Sequence, residues 1–143
     1  MKVGLVRRLD NLGRIVIPKE YRKTLHIDSN ELLEVFFEDK TIIIKKHNVF
    51  KNVDIFIKAY IKSLKKVYGI NVLVTDLKEI KYSNVAEFKN KSIEELKNNY
   101  QTTEYDINPN GDLLGKIIFI DINNVLYEKL IQLTINVFND LLE

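Results

Sequence analysis

All four arginines of this 143-residue chain, Arg7, Arg8, Arg14 and Arg22, fall within its first 22 residues. The remaining side-chain cations are lysines, spread along the whole chain. A guanidinium is a planar fork that meets a phosphate or a guanine edge with two parallel hydrogen bonds, whereas an ammonium is a hydrated point charge. A lysine-rich chain that confines its arginines to one short segment is therefore using them there, or carries a chance cluster on a solvated face. Lys2, Lys19 and Lys23 add to the cluster, so residues 1–27 hold seven basic groups against Asp10 and Glu20, a net +5. Residues 28–50 carry −2 and residues 51–143 carry −1, so the overall +2 conceals a basic head.

Other chemistry is thinly represented. Cysteine is absent, which excludes disulfides, thiolate metal sites and cysteine nucleophiles. His26 and His47 are the only histidines. They lack acidic or thiol partners at ligand spacing, so no metal site is expected. Asp76 and Asp121 end apolar runs, where a ligand could be met, although lone carboxylates at strand ends ordinarily act as solvated caps. No Ser/His/Asp set, phosphate loop or paired catalytic carboxylates occur, so neither enzymatic activity nor a cofactor is expected. Apolar residues make up 45% and charged residues 29%, the composition of a folded domain. No run reaches the roughly 18–20 apolar residues that span a bilayer. Charges fall in residues 1–13 where a signal peptide needs an apolar core, so a cytoplasmic protein without membrane contact is expected.

The elements that must position the arginines are short. Residues 2–8 alternate loosely and read as a strand, residues 9–13 (LDNLG) as a loop, and residues 14–17 (RIVI) as a β-branched strand stopped by Pro18. Pro18 suits the first position of a helix over 18–26. At 100° per residue Tyr21 and Leu25 share one face of it, and Lys19, Arg22 and Lys23 gather on the other, with His26 at its edge. Strands over 31–37 and 41–46 follow, joined by a turn at 38–40. Their apolar residues point to both faces of the hairpin, whereas a half-solvated hairpin alternates more cleanly. Something must cover both faces, yet about 48 residues rarely build a sufficient core alone. An intertwined homodimer answers both requirements.

Beyond residue 48 the patterning changes. A helix over 49–68 ends at Gly69, followed by a buried strand at 70–75 and a second strand at 79–82. Short helices occupy 84–99, with Ser92 as N-cap and Glu95 completing a capping box. A turn over 106–111 leads to a strand centred on 116–120. The closing helix, 125–142, has a stripe of Tyr127, Leu130, Ile131, Thr134, Val137, Phe138 and Leu141, with Leu126, Leu133, Ile135 and Leu142 outside it. So wide an apolar circumference suits a second contact between copies as well as a core.

The run Val6-Arg7-Arg8, Leu12-Gly13-Arg14, Ile17-Pro18-Lys19-Glu20 and Arg22-Lys23-Thr24-Leu25 resembles the N-terminal domain of the AbrB/SpoVT family of transition-state and sporulation regulators. The hairpin ELLEVFFEDKTIIIKK continues the resemblance to residue 48. It implies an α+β protein whose residues 1–48 form a swapped-hairpin, barrel-like dimer bearing basic loops and helices for double-stranded DNA. On that resemblance Arg7, Arg8, Arg14 and Arg22 contact DNA, with Lys19 and Lys23 adding backbone charge. Lys23 replaces a family arginine, and His26 stands where relatives often carry Gly or Arg. The stretches GINVLVTDLKEIKY, FKNKSIEEL and NGDLLGKIIFID resemble the GAF-related sensor of the SpoVT type. Residues 49–143 would then be a trimmed GAF-like sensor or oligomerisation domain, with too little chain between 96 and 112 for the usual helix and strand of the pocket wall. The resemblance implies a nucleoid-associated transcriptional regulator, dimeric or tetrameric through its C-terminal half, with an effector that the residues do not name. An antitoxin of the same hairpin type, and an oligomeric scaffold without DNA binding, are the other readings.

Overall fold

The computed structural model describes residues 4–143. Two compact units divide the chain, residues 1–48 and 49–143. Both mix helix and strand.

The first unit holds one short helix, α1 (Lys19–Thr24), and one hairpin, β1 (Leu33–Glu38) with β2 (Thr41–Lys46). Pro18 precedes α1 at its N-cap, one position earlier than expected, with ψ at 142°. Its carbonyl accepts the first helical bond from Arg22 N–H at 3.0 Å. The hairpin turns through Asp39 and Lys40, both at positive φ (44° and 64°). That pair of left-handed residues matches the twist of the flanking strands, as a two-residue hairpin requires. Antiparallel register pairs Val35 with Ile44 and Phe37 with Ile42, which puts these four on one face together with Leu33. Phe36 and Ile43 pair on the other face. Lys46 Nζ donates to the His26 carbonyl at 2.9 Å and pairs with Glu31, tying the end of α1 to the hairpin. His26 itself sits in the left-handed region at φ 53°, a place where glycine is free of strain.

Two expectations fail here. Residue 3 and those before it lie outside the described residues, and residues 4–8 and 14–17 form no strand. A strand exists only with a ladder partner, and these segments have none among the described residues. More telling is the interior: among residues 4–48 not one is buried.

The second unit is layered. Four antiparallel strands run in the order β4 (Ile80–Ser83), β3 (Asn71–Thr75), β6 (Gly115–Ile120), β5 (Thr102–Ile107). Alternation divides the sheet into two apolar faces. Val72, Val74, Ile117 and Phe119 pack with Ile57, Ile61 and Leu64 of α2 (Asp54–Tyr68) and with Ile131 and Phe138 of α4 (Glu128–Leu142). Leu73, Ile118 and Ile120 pack with Val85, Phe88 and Leu96, the last from α3 (Ile93–Asn99). Gly69 caps α2 in the left-handed conformation, and Ser92 Oγ accepts from Glu95 N–H at 3.1 Å, as the sequence anticipates.

α2 and α4 each begin later than expected. Phe50 is drawn into the core, edge-on to Tyr82 at 5.6 Å, so residues 49–53 turn before the helix starts. Asn123 Oδ1 accepts from Leu126 N–H, holding a turn ahead of α4. The larger correction is β5. The sequence reading leaves 102–105 unassigned and begins a turn at 106, yet Thr102 to Ile107 pairs along the whole of β6. Only Tyr105 and Ile107 of TTEYDI are apolar, so the period-two signal was too faint to register. Strand β5 thus lies between residues 96 and 112, directly after α3.

Candidate nucleic-acid interface

Asp10 organises the loop that carries Arg14. Its N–H donates to the Arg14 carbonyl at 3.0 Å, and its carbonyl accepts from Gly13 N–H at 3.1 Å. One carboxylate oxygen, Oδ1, accepts from the backbone N–H groups of Leu12 (2.9 Å) and Arg14 (2.8 Å). The other, Oδ2, accepts from Arg14 Nε at 2.7 Å. The Arg14 backbone N–H, then its guanidinium, hold the Asp10 carboxyl below the usual carboxylate range. Gly13 closes the turn at φ 76°, a conformation that a side chain would strain although the space around it is open.

Arg7 and Arg8 precede this loop and Arg14 ends it, all exposed. Arg7 Nη1 donates back to the carbonyl of Val6 at 2.9 Å. On α1, Lys19, Arg22 and Lys23 stand at i, i+3 and i+4, hence on one face, and all three are exposed. Arg22 and Lys23 lie in the last helical turn, where positive charge suits the negative end of the peptide dipoles. The six predicted residues thus fall in three places: Arg7 and Arg8 ahead of the Asp-closed loop, Arg14 at its end, and Lys19, Arg22 and Lys23 on one helical face. The docking side of α1 is a different matter, since Tyr21 and Leu25 are exposed within the chain.

Asp10 is the residue that sequence reasoning missed. The sequence shows it as a loop residue and an acid offsetting the arginines, yet its spacing carries a further signal: an Asp with glycine three residues on and arginine four residues on builds an Asx turn with the arginine within reach. The other candidates make local hydrogen bonds. Asp76 Oδ1 accepts from the N–H groups of Lys78 and Glu79, both at 2.8 Å, and Asp121 Oδ1 accepts from Gln101 N–H at 3.0 Å. His47 Nδ1 lies 2.9 Å from Glu34 Oε1. Among the described residues no three metal-ligating side chains stand together, and no helix is long and apolar enough to cross a membrane.

The family model described as "Antidote-toxin recognition MazE, bacterial antitoxin" matches residues 6–51. Stage V sporulation protein T of Bacillus subtilis (strain 168) is 39% identical over 97 residues, which is 65% of this chain and 54% of that protein. The transition state regulatory protein AbrB of the same strain is 50% identical over 44 residues, 31% of this chain and 46% of AbrB. The chain thus spans about half the length of the curated relatives it matches. A match over 65% of the chain is longer than the 48 residues of the first unit, so similarity to stage V sporulation protein T reaches into the second. With its Asp-closed arginine loop, basic helix and hairpin, the first unit is a domain of the MazE/AbrB type, and the chain is a homologue of stage V sporulation protein T and of AbrB.

Proposed function

We propose that this protein is a DNA-binding transcriptional regulator whose first 48 residues dimerise by exchanging hairpins and grip the duplex through Arg7, Arg8, Arg14 and Arg22, assisted by Lys19 and Lys23. The observation that carries this reading is the undefended apolar surface of the first unit. None of its described residues is buried, and one hairpin face displays Val35, Phe37 and Ile42 at 67, 84 and 71% exposure. Apolar groups so arranged are stable only when covered, and a second copy of the same hairpin offers a matching surface. Segments 4–8 and 14–17, without ladder partners among the described residues, would find them in the other chain. Dimerisation would also double the arginines, placing eight on one particle.

The second unit, in this reading, is a trimmed GAF-like sensor or oligomerisation domain. Its helix-covered sheet supports that reading, and the exposure of Val125, Leu126 and Leu133 beside the buried stripe of α4 supports a tetramer through the same unit. A tetramer with two DNA-binding heads would bridge duplex segments and gain from effective concentration. The regulator would act in the cytoplasm on the nucleoid. The antitoxin reading draws on the description of the matching family model. Against it stands the second unit's own core, because an antitoxin that folds on its toxin presents a tail without one.

The test is fluorescence anisotropy of wild type and Arg14→Ala on an AT-rich duplex across roughly 50–300 mM salt. Each neutralised phosphate contributes about −0.9 to the slope of log affinity against log salt. Wild type should bind with a steep slope, and Arg14→Ala should flatten it by about 2, one contact from each protomer. Weak, salt-insensitive binding alike in both would overturn the regulator reading and favour the scaffold.

A further inference from the structure

We infer that Asp10 is a positioning residue for duplex recognition, holding the Arg14 guanidinium by Nε so that its two Nη groups meet DNA already oriented. The inference rests on the DNA-binding reading and deepens it. A carboxylate beside a polyanion is an electrostatic liability: it repels phosphates and cancels one of the seven basic groups of residues 1–27. Loop closure alone does not require that charge, since an uncharged Asn side chain can accept the same N–H groups of Leu12 and Arg14 through its oxygen. What the second carboxylate oxygen adds is the 2.7 Å bond to Arg14 Nε. Arg14 is 73% exposed and Asp10 41%, so burial does not hold this side chain in place. An unrestrained arginine loses much rotamer freedom on binding, and fixing it beforehand removes that penalty from association. Because the bond takes Nε, it leaves both Nη groups on the exposed end of the fork. Asp10 N–H to the Arg14 carbonyl and Arg14 N–H to Asp10 Oδ1 fix the backbone at both ends, so the side chain swings from a rigid base.

Two explanations of Asp10 predict opposite signs. If charge alone matters, Asp10→Asn removes one negative charge per protomer and tightens binding. If Asp10 orients Arg14, Asp10→Asn keeps the loop, releases the guanidinium and weakens binding despite the more favourable charge.

The experiment is a double-mutant cycle on the full chain, with wild type, Asp10→Asn, Arg14→Ala and the double variant titrated against one AT-rich duplex at fixed salt. The expected result is about tenfold weaker binding by Asp10→Asn, the order expected for ordering one such side chain from each protomer. In the Arg14→Ala background the same change should be neutral or tighten binding. A companion measurement reads the free protein: nitrogen-15 NMR of the arginine side chains should show Arg14 Nε–H exchanging more slowly with water than those of Arg8 and Arg22, and losing that protection in Asp10→Asn. Equal or tighter binding by Asp10→Asn overturns the inference while leaving the DNA-binding reading intact. An equal loss in both backgrounds assigns Asp10 to loop folding and also overturns it. Should Asp10→Asn fail to fold, an unprotected Arg14 Nε–H in wild type overturns it alone. A wild type without salt-dependent affinity overturns the DNA-binding reading, and this inference with it.

Discussion

Replacing Phe37 by alanine should separate the protomers without harming the hairpin that carries it. Phe37 is 84% exposed in the single chain, stands opposite Ile42, and shares its face with Val35 and Ile44. Complete burial of a phenylalanine side chain is worth about 1.5–3 kcal/mol, so the portion left open makes ~1.5–2 kcal/mol a fair figure for covering it. In an isologous dimer the same residue is lost twice, once from each protomer, for a total of ~3–4 kcal/mol. At 1.4 kcal/mol per tenfold, Phe37→Ala should weaken dimerisation by roughly 150–700-fold. Sedimentation equilibrium over a dilution series from micromolar downward measures this directly. Glu38→Ala serves as control, because Glu38 neighbours Phe37 in sequence but belongs to the opposite face, paired with Thr41. A dimer constant that Phe37→Ala leaves within a fewfold of wild type would refute the assignment of this face to the interface. A wild-type chain that stays monomeric at micromolar concentration would refute the dimer itself.

Two predictions concern the second unit. An added Cβ at Gly115 would lie 1.9 Å from the Thr75 carbonyl oxygen and 3.0 Å from its carbon, backbone atoms that no rotamer change can move. Gly115→Ala should therefore spread β6 from β3 at its first pair and destabilise by at least ~2–3 kcal/mol. Urea unfolding followed by tyrosine fluorescence reads it well, since every tyrosine except Tyr21 lies beyond residue 48; an unchanged midpoint would disprove the close approach. Tyr82 makes the other prediction: burial, and then its 2.8 Å bond to Asp54, push its phenol far above the ordinary value of 10.0. A raised folded value favours the neutral phenol, so this contribution is complete below pH 10 and disappears as pH climbs above it. In an alkaline titration followed by ultraviolet absorbance, Tyr82 should ionise last and together with unfolding, and Tyr82→Phe should remove that final step. Gradual ionisation of all tyrosines near their usual value in the folded protein would refute the buried pair.

What the sequence disclosed depended on whether the cause lay within reach of the residues that showed it. The hairpin, α1, α2, β3, β6 and the Ser92 cap rest on spacing, turn chemistry and local hydrogen bonds, and each stands close to where the pattern put it. β5 owes its existence to β6: Thr102 to Ile107 has too little alternation to announce a strand, but a six-residue partner edge supplies every ladder bond it needs. Asp10 was hidden for another reason. Charge counting treats an acid among bases as a subtraction, whereas one carboxylate can hold a backbone turn and a guanidinium together. The segments at 4–8 and 14–17 run the other way, since their strand signal meets no ladder among the described residues. Exposed strand-formers without a partner, next to a hairpin whose two faces are both partly apolar, are consistent with one another if the missing partner is a second chain. Local propensity and tertiary structure disagree in the first unit, and nowhere else so strongly, as they would if its pattern were written for two chains.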